Sequence, residues 1–181
     1  MADKQPAGTR LRGRIALVTG ASRGIGRAVA RRFAEEGAHV IAVARTQGAL
    51  EELDDEIRAR GGTATLAPLD LTDPYRIDQM GATVFERFGR LDVLVGNAGT
   101  LGILSPMGHI DPQTWHYVLR VNLTANWRLV RIFDPLLRIS DSGRAIFVTS
   151  GAAHNAYAYW GAYAVSKAGL EMMALTYAAE V

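Results

Sequence analysis

Apolar and polar positions alternate between two periods along this chain. Residues 14–19, RIALVT, form a short apolar run that ends at Gly20, the mark of a buried strand. Ile25, Val29 and Phe33 then recur every fourth position, as on one face of a helix, and Gly37 closes it. HVIAVA (39–44) predicts a second strand. Leu50, Leu53 and Ile57 predict a second helix, stopped by Gly61 and Gly62. TATLAPL (63–69) predicts a third strand. Asp73 before Pro74 is an N-cap and first-turn pair, and Ile77, Met80, Val84 and Phe88 carry that helix to Gly89. LDVLVG (91–96) predicts a fourth strand. Asp111-Pro112 repeats the helix-start signal and opens one long helix to about Arg138. RAIFVTS (144–150) predicts a fifth strand, and residues 160–180 a final helix.

Strict alternation of strands and helices predicts βαβ units: an α/β, doubly wound, Rossmann-like parallel sheet in three layers, α/β/α. The expected division is a flexible polar tail over 1–12 and one domain over 13–181, with no internal linker or repeat. In such folds ligands sit beyond the carboxyl ends of the strands, where strand order reverses.

Composition narrows the classes. The 181 residues are 49% hydrophobic and 21% charged, a globular balance. No apolar run reaches the ~20 residues of a membrane span, and MADKQPAGTRLRGR lacks the apolar core of a signal peptide. The chain has no cysteine, which excludes disulfides and thiol chemistry; the expectation is a cytoplasmic protein. Net charge is +2, and the arginines are dispersed rather than gathered in a stripe, so no nucleic-acid partner is expected. His109, His116 and His154 lack metal-ligand spacing, so no metal is expected. Lys4 and Lys167 are the only lysines against eighteen arginines, which marks Lys167 for a role a guanidinium does not fill.

Two stretches carry chemistry. The first strand runs into T19-G20-A21-S22-R23-G24-I25-G26 and a helix follows. Glycines allow a sharp turn and close approach, and the helix start offers free N–H groups and a positive dipole end to a diphosphate. The spacing is G-x-x-x-G-x-G, not the common G-x-G-x-x-G. Near the end, YAVSK (163–167) sets Tyr163 and Lys167 at i and i+4, on one helix face. A free phenol, with a pKa of ~10, is a poor base at neutral pH. A nearby ammonium favours the phenolate, which can then exchange a proton with a carbonyl or hydroxyl oxygen.

T-G-x-x-x-G-x-G resembles the cofactor loop of the short-chain dehydrogenase/reductase family. GNAG (96–99), Asn122 in RVNLT, Ser150 at the end of the fifth strand, Tyr163 thirteen residues on and Lys167 four further are similar to that family's other marks, in order, over about residues 12–181. The resemblance implies an NAD(P)-dependent oxidoreductase acting on a carbonyl or alcohol. It implies Tyr163 as general acid/base, Lys167 also on the nicotinamide ribose, Ser150 on the substrate oxygen, and Asn122 holding a water in a proton relay. Gly20, Ser22, Arg23, Gly24, Ile25, Gly26, Asp70, Leu71, Asn97, Ala98 and Gly99 are the implied cofactor contacts, with Tyr163 and Lys167. Asp70 would face the adenine; it also reads as a loop and helix cap.

The second strand ends V43-A44-R45, with no carboxylate where NAD enzymes hold the ribose 2′-OH. Arg45 and Arg23 suit a 2′-phosphate instead, so NADP(H) is expected over NAD(H). The rival class is a non-catalytic nucleotide-binding or regulatory protein on the same scaffold. Family resemblance also implies a homodimer or homotetramer through helices 112–138 and 160–180, and some sixty further residues with two more strands and a substrate-covering segment. The chain is therefore expected to be a C-terminally truncated product with an incomplete sheet edge. Completion by a partner chain and a genuinely short protein are the alternatives.

Overall fold

Each apolar run becomes a strand, and the three central strands bury their side chains on both faces. The computed structural model describes residues 10–181. Five strands, β1 (Ile15–Thr19), β2 (His39–Ala44), β3 (Thr63–Pro68), β4 (Val93–Gly96) and β5 (Arg144–Phe147), form one parallel sheet in the order β3-β2-β1-β4-β5. The helices between them are α1 (Gly24–Glu35), α2 (Gln47–Ala59), α3 (Pro74–Phe88), α4 (Pro112–Leu119) and α5 (Ala125–Ile139), with α6 (Gly161–Glu180) after β5. This is the expected doubly wound arrangement. β1 pairs with both β2 and β4, so strand order reverses at its carboxyl end.

Alternation along the strands sorts the core into two layers. Ala16, Val18, Val40, Ala42 and Val95 face Ala30 and Ala34 of α1 and Leu50, Leu53 and Ile57 of α2. Leu17, Ile41, Val43 and Leu94 face Ile77, Met80 and Val84 of α3 and Leu129 and Phe133 of α5. Small residues on the first face let α1 approach closely, so its N-terminus sits just beyond β1. Larger residues fill the second.

Both Asp-Pro signals operate as read. Asp73 accepts from the N–H groups of Tyr75 and Arg76, and Asp111 from that of Thr114. At the amino end of the sheet the buried carboxylate of Asp92 accepts from Ile15 N–H at 2.7 Å and from the Ser140 hydroxyl at 2.6 Å, and pairs with Arg14 and Arg90. Burial acts to raise its pKa, but these partners outweigh it and hold the group below the usual carboxylate value.

Two expectations change, and one, the open sheet edge, is met. The tail expected over 1–12 lies outside the described residues as far as residue 9. Residues 10–13 form a turn in which Leu11 packs on the core and its N–H donates to Glu36 C=O. The single helix expected from 112 to 138 is interrupted by a π-helical turn at Arg120–Thr124, which widens the coil around Asn122. There the Asn126 side chain, instead of a main-chain N–H alone, donates to Asn122 C=O at 2.8 Å. β5 is an edge strand among the described residues, with Ile146 46% exposed.

Phe133 is fully buried between α5 and the sheet. Phe133→Ala should lower unfolding free energy by about 3–5 kcal/mol in urea titration, because the surrounding layer cannot collapse into the space.

Candidate active site

The two loops beyond β1 and β4 are stitched into one piece. Thr19, fully buried at the end of β1, donates its hydroxyl to Val95 C=O at 3.2 Å. Its oxygen accepts the N–H groups of Asn97 and Ala98 at 3.0 and 3.1 Å. Asn97 returns its side-chain amide to Thr19 C=O at 2.8 Å. The contact leaves no room for side chains. A Cβ on Gly26 would lie 2.3 Å from Gly20 O and 2.4 Å from Asn97 Nδ2, and one on Gly20 would lie 2.8 Å from Asn97 Nδ2. Gly20 also sits at φ +66°, where non-glycine residues are strained.

The turn delivers the start of α1 to a cleft of about 300 Å³. Arg23 at the N-cap makes no side-chain capping bond and the first turn holds no acidic residue. The dipole end and free N–H groups there are left for an anion. Gly20, Ser22, Arg23, Gly24 and Ile25 line one wall, Arg45, Asp70 and Leu71 another, and Asn97, Ala98 and Gly99 the floor. Gly26 lies buried behind the wall. Eleven of the expected contacts, Gly20, Ser22, Arg23, Gly24, Ile25, Arg45, Asp70, Leu71, Asn97, Ala98 and Gly99, therefore line one cavity. Burial would raise the Asp70 pKa, but the Thr72 N–H (2.8 Å) and hydroxyl, with Arg45 and Arg120 nearby, hold it below the usual range. Asp70 is thus both a turn cap and part of the wall.

The Gly99 end of the cleft meets the second group of residues. A Cβ on Gly99 would lie 3.4 Å from Asn122 Oδ1 and 3.7 Å from Lys167 Nζ. Lys167 is buried, and its one hydrogen bond among the described residues goes to Val148 C=O at 2.7 Å. Two of its three N–H bonds are left for ligand or water. Burial pushes its pKa down from 10.5. Nζ sits 5.8 Å from the ring centroid of Tyr163, one turn earlier on α6, and Trp160 packs edge-on against that ring at 5.8 Å. Ser150, half-buried, caps the short helical turn after β5 and lines a separate hollow of about 290 Å³ with Tyr157 and Trp160. That loop is braced to α6: Glu171 accepts from the Thr149 hydroxyl at 2.8 Å and pairs with His154 at 2.9 Å.

The Asn122 side chain is held by protein groups. Its amide is consumed as a bracket: Oδ1 accepts Thr100 N–H at 2.8 Å, while Nδ2 donates to Thr100 C=O at 2.8 Å and Ser166 Oγ at 2.9 Å. Both amide hydrogens are spent on protein, so neither is left to hold a relay water. Sequence reasoning passed over Thr19, Thr100, Ser166 and Tyr117. Thr19 and Ser166 lay inside quoted motifs, and their burial was the missing signal. Thr100 and Tyr117 carried none.

Fold and cleft define a doubly wound Rossmann-type protein. The chain belongs to the short-chain dehydrogenase family, whose model, described as short chain dehydrogenase, matches residues 14–181. It is 38% identical over 172 residues to "Short chain dehydrogenase pigC" of Monascus ruber, covering 91% of this chain and 56% of that one. It is 37% identical over 172 residues to "Uncharacterized oxidoreductase YciK" of Escherichia coli K12, covering 93% and 68%. A Shigella flexneri short chain dehydrogenase crystallised with NADP superposes with TM-score 0.91 at 36% identity, over 96% of this chain and 74% of that one. The chain thus spans between about half and two thirds of the length of these curated relatives. No helix among the described residues is long and apolar enough to cross a membrane.

With two lysines in the chain, ¹³Cε-lysine NMR resolves Lys167 from Lys4. The Lys167 midpoint should fall below 10.5. Since the folded value is the lower, Lys167 binds more protons in the unfolded chain between it and 10.5, so its own contribution to stability should rise with pH across that window.

Proposed function

We propose an oxidoreductase that moves a hydride between NADP(H) and the carbonyl or alcohol carbon of a small molecule. The observation that carries the reading is proximity: Gly99, which lines the cleft below an uncapped helix start, lies against the buried amine of Lys167. Its glycine cradle, cleft size and basic residues fit a nicotinamide dinucleotide phosphate. When bound, that cofactor supplies or accepts the hydride.

The chain's own residues do the rest. Ser22 through Gly26 hold the diphosphate with main-chain N–H groups, and Arg23 and Arg45 take the 2′-phosphate. Asn97, Ala98 and Gly99 form the floor and leave Lys167 within reach of the ribose hydroxyls. Tyr163 exchanges the proton with the substrate oxygen, its phenolate favoured by the ammonium one turn away. Ser150 hydrogen-bonds that oxygen, and the hollow beside Tyr157 and Trp160 accepts the remainder of the substrate. Asn122 fixes Thr100 and Ser166, and through them the distance between the cleft floor and α6. The relative crystallised with NADP supports the choice of cofactor. A non-catalytic nucleotide-binding role is the rival, and it would show as NADPH binding without turnover.

Tyr163→Phe should abolish NADPH consumption across a carbonyl panel, in this chain and in any longer reading frame containing it, while NADPH affinity stays within about twofold. Full turnover in that variant would refute the assignment. A homo-oligomer through α5 and α6 is proposed as well, since Trp127, Val165, Met172 and Leu175 expose apolar surface there. Light scattering should return a dimer or tetramer, and a monomer would contradict it.

A further inference from the structure

We infer that Tyr117 sets the preference for the 2′-phosphorylated cofactor by holding Arg45 at the cleft wall. The inference rests on the NADP(H) reading above and adds a residue to it. Arg45 Nη1 donates to the Tyr117 hydroxyl oxygen at 3.1 Å, across 72 positions of sequence. Both residues line the same cleft, with Arg23 and Asp70.

The need for such a holder follows from exposure. Arg45 leaves the end of β2 on a solvent-exposed side chain with many rotamers, and ordering it on a ligand costs conformational entropy. Tyr117 is half-buried on α4, and its neighbour Val118 is fully buried, so the phenol is a fixed point. A guanidinium bonded there is partly ordered before any ligand arrives. Local charge makes the ordering selective. Asp70 feels both Arg45 and Arg120. If Arg45 turned toward Asp70, its charge would be neutralised; bonded to Tyr117, it stays available to an anion. A dianionic 2′-phosphate gains from a guanidinium held at the wall, whereas an uncharged 2′-OH gains little from it.

The test is a double-mutant cycle read by fluorescence titration of NADPH and NADH on the chain as it stands. The proteins are the parent, Tyr117→Phe, Arg45→Ala and the double variant. Tyr117→Phe removes one oxygen and keeps the ring. It should weaken NADPH binding about three- to tenfold, the range for one hydrogen bond, and leave NADH within about twofold. Arg45→Ala should weaken NADPH further. In the double variant the loss should match Arg45→Ala alone, because Tyr117 acts mainly through Arg45. Equal weakening of both cofactors by Tyr117→Phe would show a general packing role and overturn the inference, as would no change in either or additive losses. If Arg45→Ala leaves the NADPH/NADH ratio untouched, the underlying cofactor reading falls as well. If only Tyr117→Phe is silent, that reading stands and Tyr117 is excluded.

Discussion

The contact of Asn97 with Gly20 and Gly26 is the constraint from which the rest of the site follows. No side chain larger than hydrogen fits at either glycine, because Gly20 O and Asn97 Nδ2 already fill the space. That closeness lets the Thr19 hydroxyl accept two main-chain N–H groups from the β4 loop. With the loops locked together, the start of α1 is fixed over the point where strand order reverses. Anion binding there needs no special side chain, only a helix end held in place.

A second polar bracket continues from the first. Asn122 in its widened helical turn holds Thr100 on one side and Ser166 on the other. Ser166 precedes Lys167, so the bracket fixes the buried amine against the Gly99 end of the cleft. Burying an ammonium is costly, and burial moves its pKa down. Such a group is well suited to two tasks at once, binding hydroxyls and supporting a phenolate, because few protein partners compete for its protons. The Thr149–Glu171–His154 brace completes the frame by tying the Ser150 loop to the same helix.

Periodicity made the layers legible: every strand and the buried faces of α2 and α3 follow from apolar spacing, whereas α1 buries Gly26, Ala30 and Ala34 and leaves Ile25 of the apolar stripe exposed. Asp73 and Asp111 announced their helices because capping is a local interaction between neighbours in sequence. What stayed hidden was set by partners distant in sequence. The π-helical turn at Asn122 has no signature in an apolar stripe, since the residues on either side remain helical. The bracket role of Asn122 needed Thr100 and Ser166, 22 and 44 positions away. Arg45 was visible as a missing carboxylate, but Tyr117, its partner 72 positions on, was not. The candidate site residues could be named because their ordered motif set resembles a family pattern. Their mutual geometry was not legible.

The central claim is that one binding surface runs from the glycine turn to Lys167. Backbone and lysine-side-chain NMR during titration with NADPH tests it most directly. The account predicts shifts at the amides of Ser22–Gly26, Arg45, Asp70, Leu71 and Asn97–Gly99, together with the Lys167 side chain, all following one binding curve. Shifts confined to the glycine turn, with Lys167 unmoved at saturation, would contradict it.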